Sequence, residues 1–422
     1  EVRVTNVRTA TAIGAQTADQ GREFVIVESA WKNVMPLVPV NRKKAQDRTV
    51  GMGALGFGGG ATAADKAKDE ANTTLEPMKF AIGPMPSHVW LIVDGRFAEE
   101  IDVRATNATD GHLPAGTLMI PALNDVRSGG LVYQAPVNAQ ALSLLVLDSN
   151  NGHLLLPLKG APPALASSLG GKSRANEVVD LVVIGTAWAE PPADAPGMKT
   201  LVVSVKGISR QNAIADVPFG EFGFLQTDQG CVAQPEEQSS AVTRPLAPIG
   251  RFLPMVPNEG QLAFTVPSGT RSAILMLRAR SAAAIDLPAL GDGTVSKPTA
   301  SATHQDGSVL RVSVVGTGVP PADLPAPPAG SEYLVVDYIV ENLTTGTGIE
   351  LQPQQQFALV DSAGKQYRPA SASRQLPCRL TGEGVVPAGG WRRFSLLYAV
   401  PARQPLNVQY RGFESAGTLK VR

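Results

Sequence analysis

The chain has 422 residues, too many for one ordinary hydrophobic core, and length alone suggests roughly two to four domains. Its 37 basic and 37 acidic side chains cancel, so no basic surplus drives phosphate binding and nucleic acid is not an expected partner. Charged residues stand at 18%, below the roughly 25% of an average soluble domain, while 42 Gly and 34 Pro supply turns: a strand-and-turn composition. No apolar run reaches the roughly 18 residues a spanning helix needs, so no transmembrane segment is expected. Near-zero net charge removes long-range self-repulsion and permits association. The sequence opens at Glu1 without a methionine or an apolar leader, which fits a mature exported protein and a trimmed chain equally.

In chain order the same series of elements appears three times. A strand-like stretch comes first: Val2 to Val7, Val178 to Ile184, and Val309 to Val315. A turn-rich segment follows, and a glycine, Gly21, Gly197 or Gly330, opens a second strand. Four, six, eight and ten residues beyond that glycine stand Val25, Val27, Ser29 and Trp31, then Leu201, Val203, Val205 and Gly207, then Leu334, Val336, Tyr338 and Val340. Ten of these twelve are apolar, whereas the seventh position is Glu28, Ser204 or Asp337, so the run alternates with period two as a half-buried strand does. Mid-unit, Val89 to Gly95, Phe222 to Gly230 and Phe357 to Gly364 carry an apolar run into a polar turn ending in glycine, a hairpin signal. Each unit then closes with an aromatic residue three places before a proline, Tyr133 to Pro136, Phe264 to Pro267 and Tyr398 to Pro401, and with one more apolar run. Six or more short strands per unit predict an all-β chain of tandem antiparallel β-sandwiches.

The aromatic–proline spacing is 131 and then 134 residues, whereas the glycine spacing is 176 and then 133. The difference places an insertion at 41–74 in the first unit. The expected domains are 1–160 with that insertion, 174–290 and 305–422, with Gly-, Pro-, Ala- and Ser-rich linkers near 159–173 and 290–305.

The order of strand, turn, glycine-led strand, hairpin with an Asp and a Gly, Pro-Ala-Gly, and aromatic-x-Val-Pro resembles the immunoglobulin-like domains of bacterial secreted proteins and lipoproteins of the mycobacterial immunoprotective extracellular protein type. Residues 330–422 carry it best, including the strand ending Val340-Glu-Asn342. The resemblance implies three tandem immunoglobulin-like sandwiches and an exported location. That family has no common active site to carry over.

Motifs that suggest chemistry have simpler readings. Gly51 to Gly56 spells GxGxxG but follows a polar run rather than a strand, so it reads as a flexible or assembly loop. Ala166 to Ser173 resembles a phosphate-binding loop through Lys172 and Ser173, yet the β-branched run from Val178 follows where a helix should begin, so it reads as a linker. His88, His112, His153 and His304 show no metal-ligand spacing, and no nucleophile elbow occurs, so neither a metal, a cofactor nor a catalytic residue is expected. Asn107 to Gly111 and Asp148 to Gly152 read as turns between strands rather than calcium loops. Asn72, Asn107 and Asn342 head glycosylation sequons, which matter only in a eukaryotic source. The two cysteines, Cys231 and Cys378, leave open one bridge in an oxidising compartment or two unpaired small residues.

The expected function is therefore that of a non-enzymatic structural or adhesive protein, secreted, at the cell surface or periplasmic, acting on other copies of itself or a surface protein. The insertion is the leading contact element: it combines the basic Arg42, Lys43 and Lys44 with Met52, Leu55 and Phe57 in a glycine-rich setting. The rival expectations are a ligand-binding or regulatory module with its site in 41–74, and accessory domains of an exported hydrolase.

Overall fold

The computed structural model describes residues 1–35, 37–41, 73–77, 80–121, 123–148, 152–190, 197–279, 282–322, 324–371, 376, 378, 384–413 and 415–421. The chain forms two compact units, Glu1–Ala164 and Leu165–Arg422. The fold is all-β apart from four helices of four or five residues among the described segments.

The second unit contains the same set of sheets twice. In its first half, Arg174–Ala175, Val179–Ala189, Met198–Ser209 and Asn258–Pro267 lie side by side in one antiparallel sheet. A second sheet holds Val232–Ala233, Gly223–Thr227, Ala273–Leu277 and Ile285–Leu290, and a short pair joins Ala215–Val217 to Gly250–Phe252. In its second half the corresponding order is Ala302–Asp306, Leu310–Gly318, Ser331–Asn342 and Trp391–Pro401. Opposite it run Gln366–Tyr367, Phe357–Asp361, Leu406–Arg411 and Ala416–Lys420, with Ile349–Leu351 paired to Gly384–Val386.

Unit Glu1–Ala164 repeats this plan with three strands in its first sheet, Val2–Ala10, Arg22–Lys32 and Val126–Pro136. Its second sheet holds Phe97–Glu99, Val89–Val93, Leu142–Leu147 and His153–Lys159, and its short pair is Phe80–Ile82 with Leu118–Ile120. A further hairpin, Leu37–Asn41 with Thr73–Pro77, frames the insertion. The six insertion residues singled out above, Arg42, Lys43, Lys44, Met52, Leu55 and Phe57, lie outside the described residues.

The physical basis of the repeat is the glycine-led strand. Gly21, Gly197 and Gly330 have φ of 76°, 74° and 76°, with no atom near the place of a Cβ. The glycine is required by the left-handed backbone rather than by crowding. From there the expected inward positions are buried, Val25, Leu201 and Leu334 being 0%, 0% and 7% exposed, and Glu28, Ser204 and Asp337 are half-buried. The alternation is incomplete, however: Ile26, Val202 and Val335 are buried as well, so the strand is covered on both faces there. Each lies directly across from the aromatic of the proline motif, in the pairs Val25 with Tyr133, Leu201 with Phe264 and Leu334 with Tyr398. Each pair sits in one hydrophobic cluster fed by both sheets of its repeat, the arrangement of a β-sandwich-type fold. Burial of apolar side chains of this size stabilises by about 1.5–3 kcal/mol apiece.

Twelve residues past each glycine stands a polar residue that ends the strand. Asn33 donates from Nδ2 to the Ile120 carbonyl at 3.0 Å, and Asn342 likewise to Val386 at 3.1 Å, while their Oδ1 atoms accept from the Met35 and Thr344 backbones. In the second repeat, Ser209 Oγ accepts from the Gln211 backbone and donates to the Ala213 carbonyl. Buried polar atoms here are spent on closing the sandwich.

The boundary between the two units, after Ala164, falls within the linker expected near 159–173; beyond it Ala166 donates to the Met255 carbonyl and Leu169 to Asp180 Oδ2, both at 2.8 Å. Two readings are corrected. Residues Val103–Asn107 form a helical turn capped by Asp102, so Asn107 to Gly111 leaves a helix rather than joining two strands. Asp337, expected to be a bare outward position, is held by Arg393 Nη2 at 2.7 Å and by the Ser395 hydroxyl.

Candidate functional site

The densest set of specialised contacts lies where the two halves of unit Leu165–Arg422 meet. The hairpin after Gly223–Thr227 turns sharply: Gly230 donates to the Thr227 carbonyl at 2.8 Å, and the Cys231 amide to Thr227 Oγ1 at 3.2 Å. Gly230 has φ of 81°, and a Cβ there would meet the Trp391 ring at 2.6 Å, so conformation and crowding both select glycine. Pressed this close, the turn uses the edge of the strand Trp391–Pro401. Arg393 donates its backbone N–H to the Gly230 carbonyl at 2.9 Å, and Gln226 Nε2 donates to the Trp391 carbonyl at 2.6 Å. Cys231 and Cys378 are joined by a disulfide beside this junction, with Cα atoms 4.7 Å apart. Such a bridge persists in oxidising compartments.

Two clefts flank the junction. One, of about 670 Å³, is lined by Phe222, Phe224, Ile249 and Val385 together with Glu221 and Glu350. The other, of about 310 Å³, has Val319, Val335, Asp337, Cys378 and Arg393 on its walls. Arg392 reaches back to the Val385 carbonyl at 3.2 Å, and burial lowers its guanidinium to about 10, which leaves it charged at neutral pH. In the cluster behind, the Tyr338 and Tyr398 hydroxyls lie 2.9 Å apart, and burial raises both phenols far above neutrality. Neither is poised to give up a proton.

Three of the four histidines have structural partners. His88 Nδ1 lies 2.8 Å from the Leu147 carbonyl, His112 Nδ1 2.9 Å from that of Thr109, and His304 Nε2 3.1 Å from Ser415 Oγ. Asp148 Oδ1 accepts from Gly152 N at 2.8 Å. After Lys172 and Ser173 comes the strand Arg174–Ala175, with no helix to cradle a phosphate. Among the described residues no group of three His, Cys, Asp or Glu converges on a metal-sized site, and no helix is long and apolar enough to cross a membrane. Sequence reasoning kept both cysteines in view but missed the docking of Gly230 on Trp391. Its only sign was the hairpin glycine.

No family model matches the chain, and no curated protein matches it. Among solved structures, the yjhA protein from Bacillus subtilis aligns at 14% identity and a TM-score of 0.23, covering 30% of this chain and 100% of its own. Lac15 from a marine microbial metagenome aligns at 11% identity and a TM-score of 0.15, covering 82% of this chain and 90% of its own. Similarities this low support no inference about structure or activity.

Proposed function

We propose that the chain is an exported, non-enzymatic structural or adhesive protein of three immunoglobulin-like sandwiches that acts through contacts with other protein copies or a surface partner. The observation that supports this reading is the bracing of the second repeat on the third. A disulfide, two main-chain-directed hydrogen bonds and the packing of Trp391 on Gly230 act together at that junction. An element that transmits or withstands force gains from such rigid connection between repeats, whereas independently working modules gain nothing from it. The insertion at 41–74 remains the proposed contact loop, and its deletion from 43 to 72 is expected to spare the sandwiches. A second reading, a ligand-binding module, is favoured by the cleft beside Phe222 and Val385. Electron microscopy of native material, with native mass spectrometry, separates the two: ordered polymers or partner complexes support the first reading. Isolated monomers carrying a small molecule overturn it.

A further inference from the structure

Every repeat carries the same strand ahead of its glycine-led strand, and each contains a bulge, at Thr5, Ile184 and Val315. A bulge bends and twists an edge, one of the devices that discourages pairing with foreign strands. Beyond the bulge the three edges differ. In the first repeat Arg8 and Asn6 hold Glu28 at 3.1 and 3.3 Å, which sets charge on the edge. In the third repeat the strand ends at Gly318, and the Asp337–Arg393 pair stands opposite Gly316. In the second repeat the strand runs on from Ile184 to Ala189 without a charge or a proline.

This stretch is paired on one side only among the described residues. Past the bulge, Gly185 to Ala189 lie against Ser204 to Thr200, while the outer strand Arg174–Ala175 reaches only Asp180 and Leu181. Ile184 is 45% exposed and Trp188 43% exposed. Trp188 pairs with Leu201, a core residue, yet does not join the core cluster of its own repeat. Lys199 covers the indole in part, with Nζ 6.0 Å from the ring centre. Past the bulge residue Ile184 the edge carries no charge and bears an exposed indole, and such an edge is a template for another strand.

The sequence of the edge names its occupant. Laid antiparallel on a second copy about Thr186, Ile184 falls opposite Trp188, Gly185 opposite Ala187, and Thr186 opposite itself. Large meets large and small meets small. β-branched–aromatic and Thr–Thr cross-strand pairs are among the favourable ones. The match satisfies the self-complementarity that a two-fold contact requires. The zero net charge of the chain adds no repulsion between copies. We infer that the 184–189 edge of the second repeat is a strand-addition surface for the same edge of a second copy of this chain. This rests on the reading that the chain works through contacts with other copies, and it locates one of them. Six residues bury less than the roughly 1,200 Å² of a stable interface, so the contact is weak, and being two-fold it closes a dimer by itself; a larger assembly needs a second contact elsewhere on the chain.

The test uses the full chain with its native disulfide intact. Thr186→Cys should oxidise to a covalent dimer at least about tenfold faster than Thr345→Cys, an exposed control in the third repeat, because a two-fold antiparallel pair sets the β-carbons of the two facing residues about 5 Å apart. Ile184→Lys combined with Trp188→Lys should weaken self-association about tenfold or more by sedimentation, with an unchanged circular-dichroism spectrum. If the wild-type chain associates but Thr186→Cys cross-links no faster than the control, the edge is not the interface, although the contact reading survives. A wild-type chain that stays monomeric at about 100 µM and in its native setting overturns both. Should the lysine variant fail to fold, the cross-linking result still decides.

Discussion

Replacing Asp306 by alanine should destabilise the third repeat by about 3–5 kcal/mol, a large effect for one side chain of the outermost strand of its sheet. Asp306 is fully buried at the end of the strand Ala302–Asp306. Its carboxylate accepts from the Phe413 and Ser415 amides, both at 2.6 Å, from Ser415 Oγ at 3.2 Å and from Tyr410 Oη at 3.1 Å. One side chain thus ties the edge of the first sheet to the turn between two strands of the second. Tyr410 is buried and cannot turn to water, so its hydroxyl alone accounts for about 1–3 kcal/mol when orphaned. The two amides lie at half-buried positions and add about 1 kcal/mol each. Asp306→Asn keeps the volume but turns an NH2 group toward donors, and should cost about half as much. Tyr410→Phe in the Asp306→Ala background should recover about 1–2 kcal/mol, because the orphaned hydroxyl is then gone. Hydrogen exchange resolved by segment is the proper assay, since a chain of several repeats does not melt as one two-state unit. Protection of Leu310–Gly318 and Leu406–Arg411 should fall together. A loss below about 1 kcal/mol, or equal effects of alanine and asparagine, would refute the reasoning.

Three further outcomes are expected. Leu334→Ala should cost about 2–5 kcal/mol, the range for a large-to-small core change, and Asp337→Ala about 1–2 kcal/mol through the loss of its Arg393 and Ser395 partners; reversed ranking in denaturant melts would contradict the register. The bridge Cys231–Cys378 closes a separation of 147 residues, so Cys231→Ser with Cys378→Ser should lower stability by up to about 5 kcal/mol on the chain-entropy estimate, and an unchanged melting temperature would mean that the bridge does not brace the repeats. The Asp361 carboxyl is held below its usual value of 3.8, first by the Tyr367 hydroxyl and then by the Lys365 amide. A depressed folded-state value gives stability that is present above the unfolded value and lost as the pH falls through the folded one, so an NMR titration should find Asp361 protonating below 3.8, later than free aspartate as acid is added, and Tyr367→Phe should raise its midpoint.

The parts of the fold visible in the sequence are those fixed by local geometry. A left-handed backbone at Gly21, Gly197 and Gly330 admits little but glycine, and the burial of the fourth, sixth and eighth residues past each glycine follows from the pleat. The hairpin glycines and the aromatic–proline strand ends are visible for the same reason. What escaped depends on partners distant in sequence. Asp306 looks like any strand-end aspartate until the 411–415 turn folds over it, more than 100 residues later. Asp337 occupies an outward register, and only pairing with the next strand brings Arg393 and Ser395 to it. The Cys231–Cys378 bridge crosses two repeats, so no spacing rule within one repeat could have paired them. The self-matching edge at 184–189 is written in the sequence, but only the sheet order shows that its outer side is unpaired among the described residues.

Sedimentation velocity of the full chain, over a concentration series reaching about 100 µM and at low and high salt, bears most directly on the claim that function resides in contacts between chains. Reversible association that rises with concentration and persists at high salt is the expected result, because the inferred contact is made by backbone and apolar groups rather than by charge. A single monomeric species throughout, together with monomers in native material, would contradict it.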